Sequence, residues 1–446
     1  MNTKTFCFLL LALTLTCGIL SIAAAESPES PAISAYDVSY TQDGFLYKPL
    51  NEYMIYFYDY AAGQRRALCT CPECNHELPE EINPYSFDFL TDEFMNNNPS
   101  LCYAAKLACM TNINACVMYD RKLYFFPVFV NDPQPGTNTL PLYVSEEDGE
   151  TRLLTDLGSL FSAAYDPYAL EALSYDGYLY YEIFLYEKLP LEGEKAITPD
   201  PELPPGSIQL VKCSMTTGEA SVMETFNAEN NEFHFLGLYN DVLYYLIKTA
   251  NNLNPVETEW DYLKDVRNKT HYSIQGINVK TGKKCNPDPR LCDRTLNCGE
   301  AFDIVKDGIL YSIVLPETAE NNTALFLGYD LNQQKTILEY PFEYIETDNY
   351  PYRVLTDEIM LAFNYRTGTF SLYNLKNGEI KPLTIPGACI NGNSGQKDWY
   401  DLFTAYFQTN PLIFDHRFSE TEVDKAYITV EELMNSNPQM HDFAEK

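Results

Sequence analysis

The sequence predicts an all-β protein, a β-propeller of about seven four-stranded blades (roughly six to eight) with a cysteine-rich insertion after the first. Three observations predict it. A turn-and-strand motif recurs along the chain, a second turn motif follows each copy, and Tyr and Phe dominate the aromatic composition.

The first motif reads Asp43-Gly44-Phe45-Leu46-Tyr47 and then Asp120-Arg121-Lys122-Leu123-Tyr124. It returns as Asp176-Gly177-Tyr178-Leu179-Tyr180, Asn240-Asp241-Val242-Leu243-Tyr244 and Asp307-Gly308-Ile309-Leu310-Tyr311. A sixth copy, Asp357-Glu358-Ile359-Met360-Leu361, lacks the tyrosine. Asp-Gly and Asn-Asp supply the positive-φ residues of a tight hairpin turn, and an apolar strand follows.

The second motif pairs a polar residue with a glycine four positions on: Asp59 with Gly63, Ser145 with Gly149, Ser214 with Gly218, Asn278 with Gly282, and Asn374 with Gly378. One copy keeps Asp330 but has Gln334 in place of glycine. The polar side chain bonds backbone two residues ahead, and glycine supplies the left-handed residue that closes a type I turn with a bulge. Each unit therefore reads as hairpin, variable loop, hairpin. In the C-terminal segment, Pro411-Leu412-Ile413-Phe414 reads as an inner strand and Tyr427-Ile428-Thr429-Val430 as a later one, a degenerate last unit. Units about 60 residues apart exceed compact propeller repeats, and long loops such as Pro199 to Pro205 and Asn251 to Thr270 absorb the excess. A row of β-sandwiches, the competing architecture, needs about 100 residues per unit.

The composition supports a folded core, with 46% hydrophobic residues, 35 Tyr and 25 Phe among 446 residues. The net charge of −33 repels phosphate backbones and anionic lipid, which argues against nucleic acid as a partner.

Residues 1–25 read as a signal peptide. Lys4 is the positive start, Phe6 to Ile22 the apolar run, and Ala23-Ala24-Ala25 the small-residue cleavage site. The mature chain, 26–446, then forms a single propeller domain with the insertion at about 68–116, and no later run is long enough to span a bilayer. A lipid-anchored form attached at Cys17, and an uncleaved anchor, are the alternatives. Cleavage removes Cys7 and Cys17 from the 13 cysteines and leaves an odd number. Outside the cytoplasm thiols tend to pair.

The insertion carries Cys69-Thr70-Cys71-Pro72-Glu73-Cys74-Asn75-His76, followed by Cys102, Cys109 and Cys116. A second set is Cys285, Cys292 and Cys298, while Cys213 and Cys389 stand apart. Three readings compete. Cys69, Cys74, Cys102, Cys109, Cys116, Cys285, Cys292 and Cys298 are disulfide candidates, since closing long loops stabilises a fold by roughly 2–4 kcal/mol per bridge. Cys69, Cys71, Cys74 and His76 have the ligand types of a zinc site. Cys71-Pro72-Glu73-Cys74 is also a redox spacing, which would need cations such as Arg65 and Arg66 to lower a thiol pKa.

The run Leu68-Cys69-x-x-Pro72-x-Cys74-x-His76, after an early hairpin and before the repeated units, resembles a family of secreted and lipid-anchored bacterial propeller-like proteins, a domain of unknown function. The resemblance covers most of the mature chain and is most specific at the cysteine motif. It implies an extracytoplasmic β-propeller and carries over no activity. The chain departs from that pattern in its extra Cys71 and in a better cleavage site than lipid-attachment site.

No serine-hydrolase elbow, His-Glu-x-x-His, phosphate-cradling Gly-rich loop or calcium loop occurs. His76, His234, His271, His416 and His441 are the only histidines, and His234 between Phe233 and Phe235 reads as a strand residue beside the core. Acidic pairs such as Glu80-Glu81, Glu146-Glu147-Asp148 and Glu431-Glu432 read as solvated surface. The expectation is a non-catalytic binding or scaffold propeller outside the cell, with a glycan, peptide or protein as partner. The alternatives are a propeller glycosidase or lyase using channel carboxylates, and a metal- or redox-responsive module in the insertion.

Overall fold

A computed structural model describes residues 32–35, 38–40, 44–47, 54–59, 62, 64–69, 115–126, 138–146, 151–188, 206–226, 231–250, 270–291, 294–295, 303–314, 323–343, 352–354, 358–364, 369–374, 376–384, 399–402, 412–417, 423–435 and 439–442. The fold is an all-β propeller. Its strands form antiparallel meanders in which each strand pairs with the next.

β1 (Ala32–Ala35) precedes the first unit, which contains β2 (Val38–Tyr40), β3 (Gly44–Tyr47), β4 (Tyr56–Asp59) and β5 (Gln64–Ala67). The second has β6 (Val117–Tyr119), β7 (Lys122–Phe125), β8 (Pro141–Glu146) and β9 (Thr151–Asp156). The third has β10 (Tyr165–Tyr175), β11 (Tyr178–Glu187), β12 (Ile208–Ser214) and β13 (Ala220–Phe226). The fourth has β14 (Asn231–Tyr239), β15 (Val242–Ala250), β16 (Thr270–Asn278) and the short β17 (Lys284–Cys285) and β18 (Arg294–Thr295), both paired to β16. The fifth has β19 (Asp303–Lys306), β20 (Ile309–Val314), β21 (Thr323–Asp330) and β22 (Lys335–Glu343). Then come β23 (Tyr352–Val354), β24 (Ile359–Asn364), β25 (Thr369–Asn374) and β26 (Ile380–Leu383). The last unit has β27 (Trp399–Leu402), β28 (Leu412–Arg417), β29 (Val423–Ile428) and β30 (His441–Asp442).

The expected count of about seven blades needs correction, because the described strands form six sheets. The cause is β1. It pairs with β2 through Ile33↔Tyr40 and its neighbours, and with β10 through Ile33↔Leu173. That strand joins the first and third units into one nine-stranded sheet. In the C-terminal unit the strand over Leu412–Phe414 is the second of its sheet, after Trp399–Leu402, as the strands that follow the turns of the other units are. The later strand read over 427–430 needs correction: it is Val423–Ile428 and stops there, because Thr429 caps a short helix that begins at Val430.

The turns form as their chemistry dictates. Asp120 and Arg121, Asn240 and Asp241, and Asp176 with Gly177 all have positive φ. Two successive left-handed residues match the right-handed twist of a hairpin. In the second motif, the Ser214, Asn278 and Asn374 carbonyls accept from the Gly218, Gly282 and Gly378 N–H groups. The side-chain oxygen of Asn278 also accepts from the Lys280 and Thr281 N–H groups at 3.1 and 2.8 Å. Gln334, in the copy without glycine, takes φ 50° itself.

Units stack through their faces. The face of β11 that holds Tyr181, Ile183 and Leu185 packs on the second unit at Leu142 and Val144. The opposite face, with Leu173, Tyr180 and Leu210, packs on Phe233, Phe235 and Tyr245 of the fourth unit. The first strands of neighbouring units also pack on one another, β2 on β6, β6 on β10, β10 on β14 and β14 on β19. They therefore run along the inside of the array. The ring of Tyr58 meets that of Tyr427, bringing β4 against the last unit.

Among the described residues, no helix is long and apolar enough to cross a membrane. Residues 1–31, including the signal-peptide reading and Cys17, lie outside the described residues, as does most of the insertion (70–114). Its two described ends, the half-buried Cys69 and the buried Cys116, join the same core cluster as Phe45 and Phe57.

Candidate functional site

Strands β10 and β11 carry an unusual ladder. Directly opposite pairs along one face run Leu173↔Tyr180, Glu171↔Glu182, Tyr168↔Phe184 and Asp166↔Tyr186. Period-two alternation puts Tyr180, Glu182, Phe184 and Tyr186 on one side of β11, and cross-strand partners share that side. It is the side that faces the fourth unit. Burial falls along the ladder. Leu173 and Tyr180 are fully buried and Glu182 is 2% exposed, whereas Tyr168 and Tyr186 reach 41% and 52%.

The centre of the ladder is acidic. Like charges opposite each other destabilise a sheet, and burying a carboxylate is costly. Packing alone would place apolar residues here. A register shift between Ala169 and Glu171 bends β10 at this point. A matching shift lies between Phe235 and Gly237 of β14. Bulges re-aim side chains and cluster beside functional sites.

The bend lets Glu171 cross to the next unit. Its Oε2 accepts from the Phe235 N–H at 2.9 Å, and its Oε1 lies 3.1 Å from His234 Nδ1. The carboxylate thus covers part of the inner edge of β14, where a first strand would otherwise offer a backbone donor. When Nδ1 carries the proton, the imidazole donates to Glu171, which fixes the ring. The side chains of His234 and Glu171 are 35% and 17% exposed, so water reaches the pair.

Beyond the acids the face is aromatic. Phe184 and Tyr186 have ring centroids 4.5 Å apart, and Tyr168 meets Tyr186 edge-on at 6.4 Å. Asp166 and Glu187 are exposed beside them. The arrangement is a mouth between the third and fourth units, aromatic at its rim and acidic at its deep end. It can stack a planar or cationic group and accept hydrogen bonds from it.

The residues singled out from the sequence have different fates. His234 lies in β14 between the buried Phe233 and Phe235, as its position suggests, and also reaches Glu171. His441 contacts Glu432 in a helix cap: α1 (Val430–Met434) starts at Thr429, whose side chain and that of Glu432 form a capping box. Burial works to raise the Glu432 carboxyl, but hydrogen bonds from Thr429 and His441 hold it below the ordinary range. Cys71, Cys74 and His76 lie outside the described residues, as do Cys102, Cys109, Cys292 and Cys298. Cys285 has no cysteine bonded to it among the described residues. The Cys213 thiol is buried, and burial pushes it up to about 12. Among the described residues, no group of three or more His, Cys, Asp or Glu side chains is placed to hold a metal ion.

Sequence reasoning passed over Glu171 and Glu182. The signal was present in Tyr180-Tyr181-Glu182-Ile183-Phe184-Leu185, where one acid interrupts an otherwise apolar and aromatic run.

No protein-family model matches the chain, and no curated protein matches it by sequence. Solved structures similar to it include the oligogalacturonate lyase of Vibrio parahaemolyticus, 9% identical, with 89% of this chain and 90% of that one covered at a TM-score of 0.43. An oligogalacturonate lyase in complex with manganese is 10% identical, covering 88% and 83% at 0.41. The Dos1 propeller is 10% identical, covering 95% and 85% at 0.37. Likenesses at this level carry no inference about what this chain binds or does.

Proposed function

We propose that the protein is a non-catalytic binding propeller that works outside the cytoplasm and receives its ligand at the mouth between the third and fourth units. The observation that supports this reading is the solvent-facing aromatic rim of Tyr168 and Tyr186, set directly beyond the Glu171–Glu182 pair. Exposed aromatics next to a bent, acidic strand are costly to keep without a ligand. The signal-peptide pattern of residues 1–25 and the resemblance to bacterial envelope propellers support the location. Cleavage after Ala25, giving one propeller domain over 26–446, is part of the same proposal.

The test is a panel of soluble peptides and glycans, presented to the wild type and to a Tyr168→Ser, Tyr186→Ser double variant. A panel member whose binding is lost in the double variant supports the reading. Binding that is indifferent to both tyrosines contradicts it.

A second reading, an enzyme, has one observation in its favour. A histidine whose Nδ1 rests on a carboxylate is oriented as a general base would be. Turnover of any panel member, lost in Glu171→Gln and in His234→Gln, would replace the binding role with a catalytic one.

A further inference from the structure

Strand β1 is surplus to the repeat. The first unit has four strands without it, β2 to β5, and so does the third, β10 to β13. Both units keep their own pairing without β1. Val38↔Tyr47 and Tyr40↔Phe45 join β2 to β3, and β11 pairs with β10 from Tyr165 to Tyr175. Removal of β1 would divide the nine-stranded sheet into two sheets of four. The hold on β1 itself is short. Ala32 and Ile33 pair with Ser174 and Leu173, while Ile33, Ser34 and Ala35 pair with Tyr40, Ser39 and Val38.

The place β1 occupies is a two-sided slot. β2 and β10 are the first strands of their units, and β1 pairs with the edge of each that faces away from the unit's other strands. It also packs on β6, the first strand of the unit between them. β1 therefore lies on the inside of the array, across three units. The edges of β2 and β10 offer partners to both sides of whatever strand lies between them. Recognition by strand addition works in this way, with affinity from main-chain bonds and specificity from the side-chain positions.

One side chain marks β1 as an imperfect occupant. Ser174 is 2% exposed, and its Oγ has no hydrogen-bond partner among the described residues. Leaving a buried polar group in that state is unfavourable. The residue opposite it in β1 is Ala32, and alanine has no polar side chain to offer. Directly opposite residues lie about 4.5–5.5 Å apart at Cβ, close enough for a hydroxyl on the inserted strand to bond the serine.

We propose that the slot between β2 and β10 binds an extended segment of another protein, and that β1 is the plug that keeps the slot closed. The segment has small side chains and a serine or threonine in register with Ser174. The resident Ala32-Ile33-Ser34-Ala35 sets the size of side chain that fits. A second copy's β1 would bring the same alanine, so the orphan hydroxyl favours a different chain. The plug lowers the apparent affinity by the fraction of molecules in which the slot is filled. This site is separate from the mouth between the third and fourth units, and neither reading needs the other.

The experiment uses the full mature chain and two labelled six-residue peptides. One copies residues 31–36, and the other carries Ala32→Ser in that sequence. Proline at position 33 of the protein removes a backbone donor from the middle of β1 and loosens the plug. The Ile33→Pro protein should bind the serine peptide about tenfold more tightly than the wild type, or better. The Ala32→Ser protein, with its plug improved, should bind it more weakly than the wild type. In the Ile33→Pro protein the serine peptide should be preferred over the alanine one by roughly two- to tenfold, and adding Ser174→Ala should abolish that preference. No gain in a folded Ile33→Pro protein overturns the plug. Equal binding of the two peptides means that the slot takes β1 of any copy, and overturns the foreign ligand. Circular dichroism reports whether each variant folds. Should Ile33→Pro not fold, amide exchange on the wild type decides. Ile33–Ala35 must then exchange faster than Phe45–Tyr47 of β3, and exchange of both at one common rate makes β1 integral to the fold and overturns the proposal.

Discussion

The ring of Tyr58 lies 5.6 Å from the ring of Tyr427, although one belongs to the second hairpin of the first unit and the other to the last. Tyr58 is 3% exposed, and burial together with Tyr427 raises its phenol far above the ordinary value. Contacts of this kind hold the first unit against the last. Tyr58→Ala should therefore destabilise the fold by roughly 3–5 kcal/mol, in the manner of large core truncations. In a double-mutant cycle, Tyr58→Leu with Tyr427→Leu should show coupling of about 0.5–1.5 kcal/mol beyond additivity. Additive values would mean that the two ends fold independently.

Glycines in the second turn motif should not be equivalent. Gly218 and Gly282 both have φ +70°, so alanine at either is strained, by roughly 1–2 kcal/mol. A Cβ at Gly282 would meet nothing within 4 Å, whereas one at Gly218 would come to 2.6 Å from the Leu154 carbonyl in the second unit. Denaturant unfolding should show Gly218→Ala clearly below Gly282→Ala in stability. Equal losses would contradict the packing of this turn against β9.

The pH limits of stability follow from two groups. Asp288 is held below the ordinary carboxylate range chiefly by Arg290, whose Nη2 donates to it at 2.8 Å, with Thr336 of the fifth unit adding a bond at 3.0 Å. A lowered folded value stabilises at pH above the unfolded one, about 4, and the gain is lost as pH falls through the folded value. Burial raises the phenols of Tyr180, Tyr181, Tyr244 and Tyr245. A raised folded value stabilises at pH below about 10, and the gain is lost as pH climbs beyond it. Ultraviolet titration should show these tyrosines ionising only as the protein unfolds. Free ionisation in the folded state would contradict their burial. Asp288→Asn should flatten the acid limb and lower stability at neutral pH by about 2 kcal/mol.

Tyr181 is fully buried, and its hydroxyl has no hydrogen-bond partner among the described residues. A buried polar group left unsatisfied costs about 1–3 kcal/mol. Tyr181→Phe keeps the ring and its edge contact with Phe126, 4.9 Å away, and should raise the melting temperature. A marked fall would show that the hydroxyl is held after all.

Much of the fold was legible because the turn chemistry is local. The Asp-Gly and Asn-Asp pairs announce their own dihedrals, and Asn278 with Gly282 closes its loop with bonds that span four residues. The sheet count was not legible, because β1 holds no turn motif and its pairing with β10 spans the whole second unit. The candidate site was hidden for a similar reason. Glu171 and His234 stand far apart in sequence, and each strand alone reads as core. Only the register of β10 on β11 sets Glu171 opposite Glu182, and only a bulge turns it towards the next unit.

Amide hydrogen exchange, with and without the tightest-binding member of the peptide panel, tests the account most directly. The account predicts that ligand slows exchange in Tyr165–Glu171 of β10, in Ile183–Glu187 of β11 and at Phe235 of β14. Protection confined to other seams of the propeller, with those segments unchanged, would contradict it.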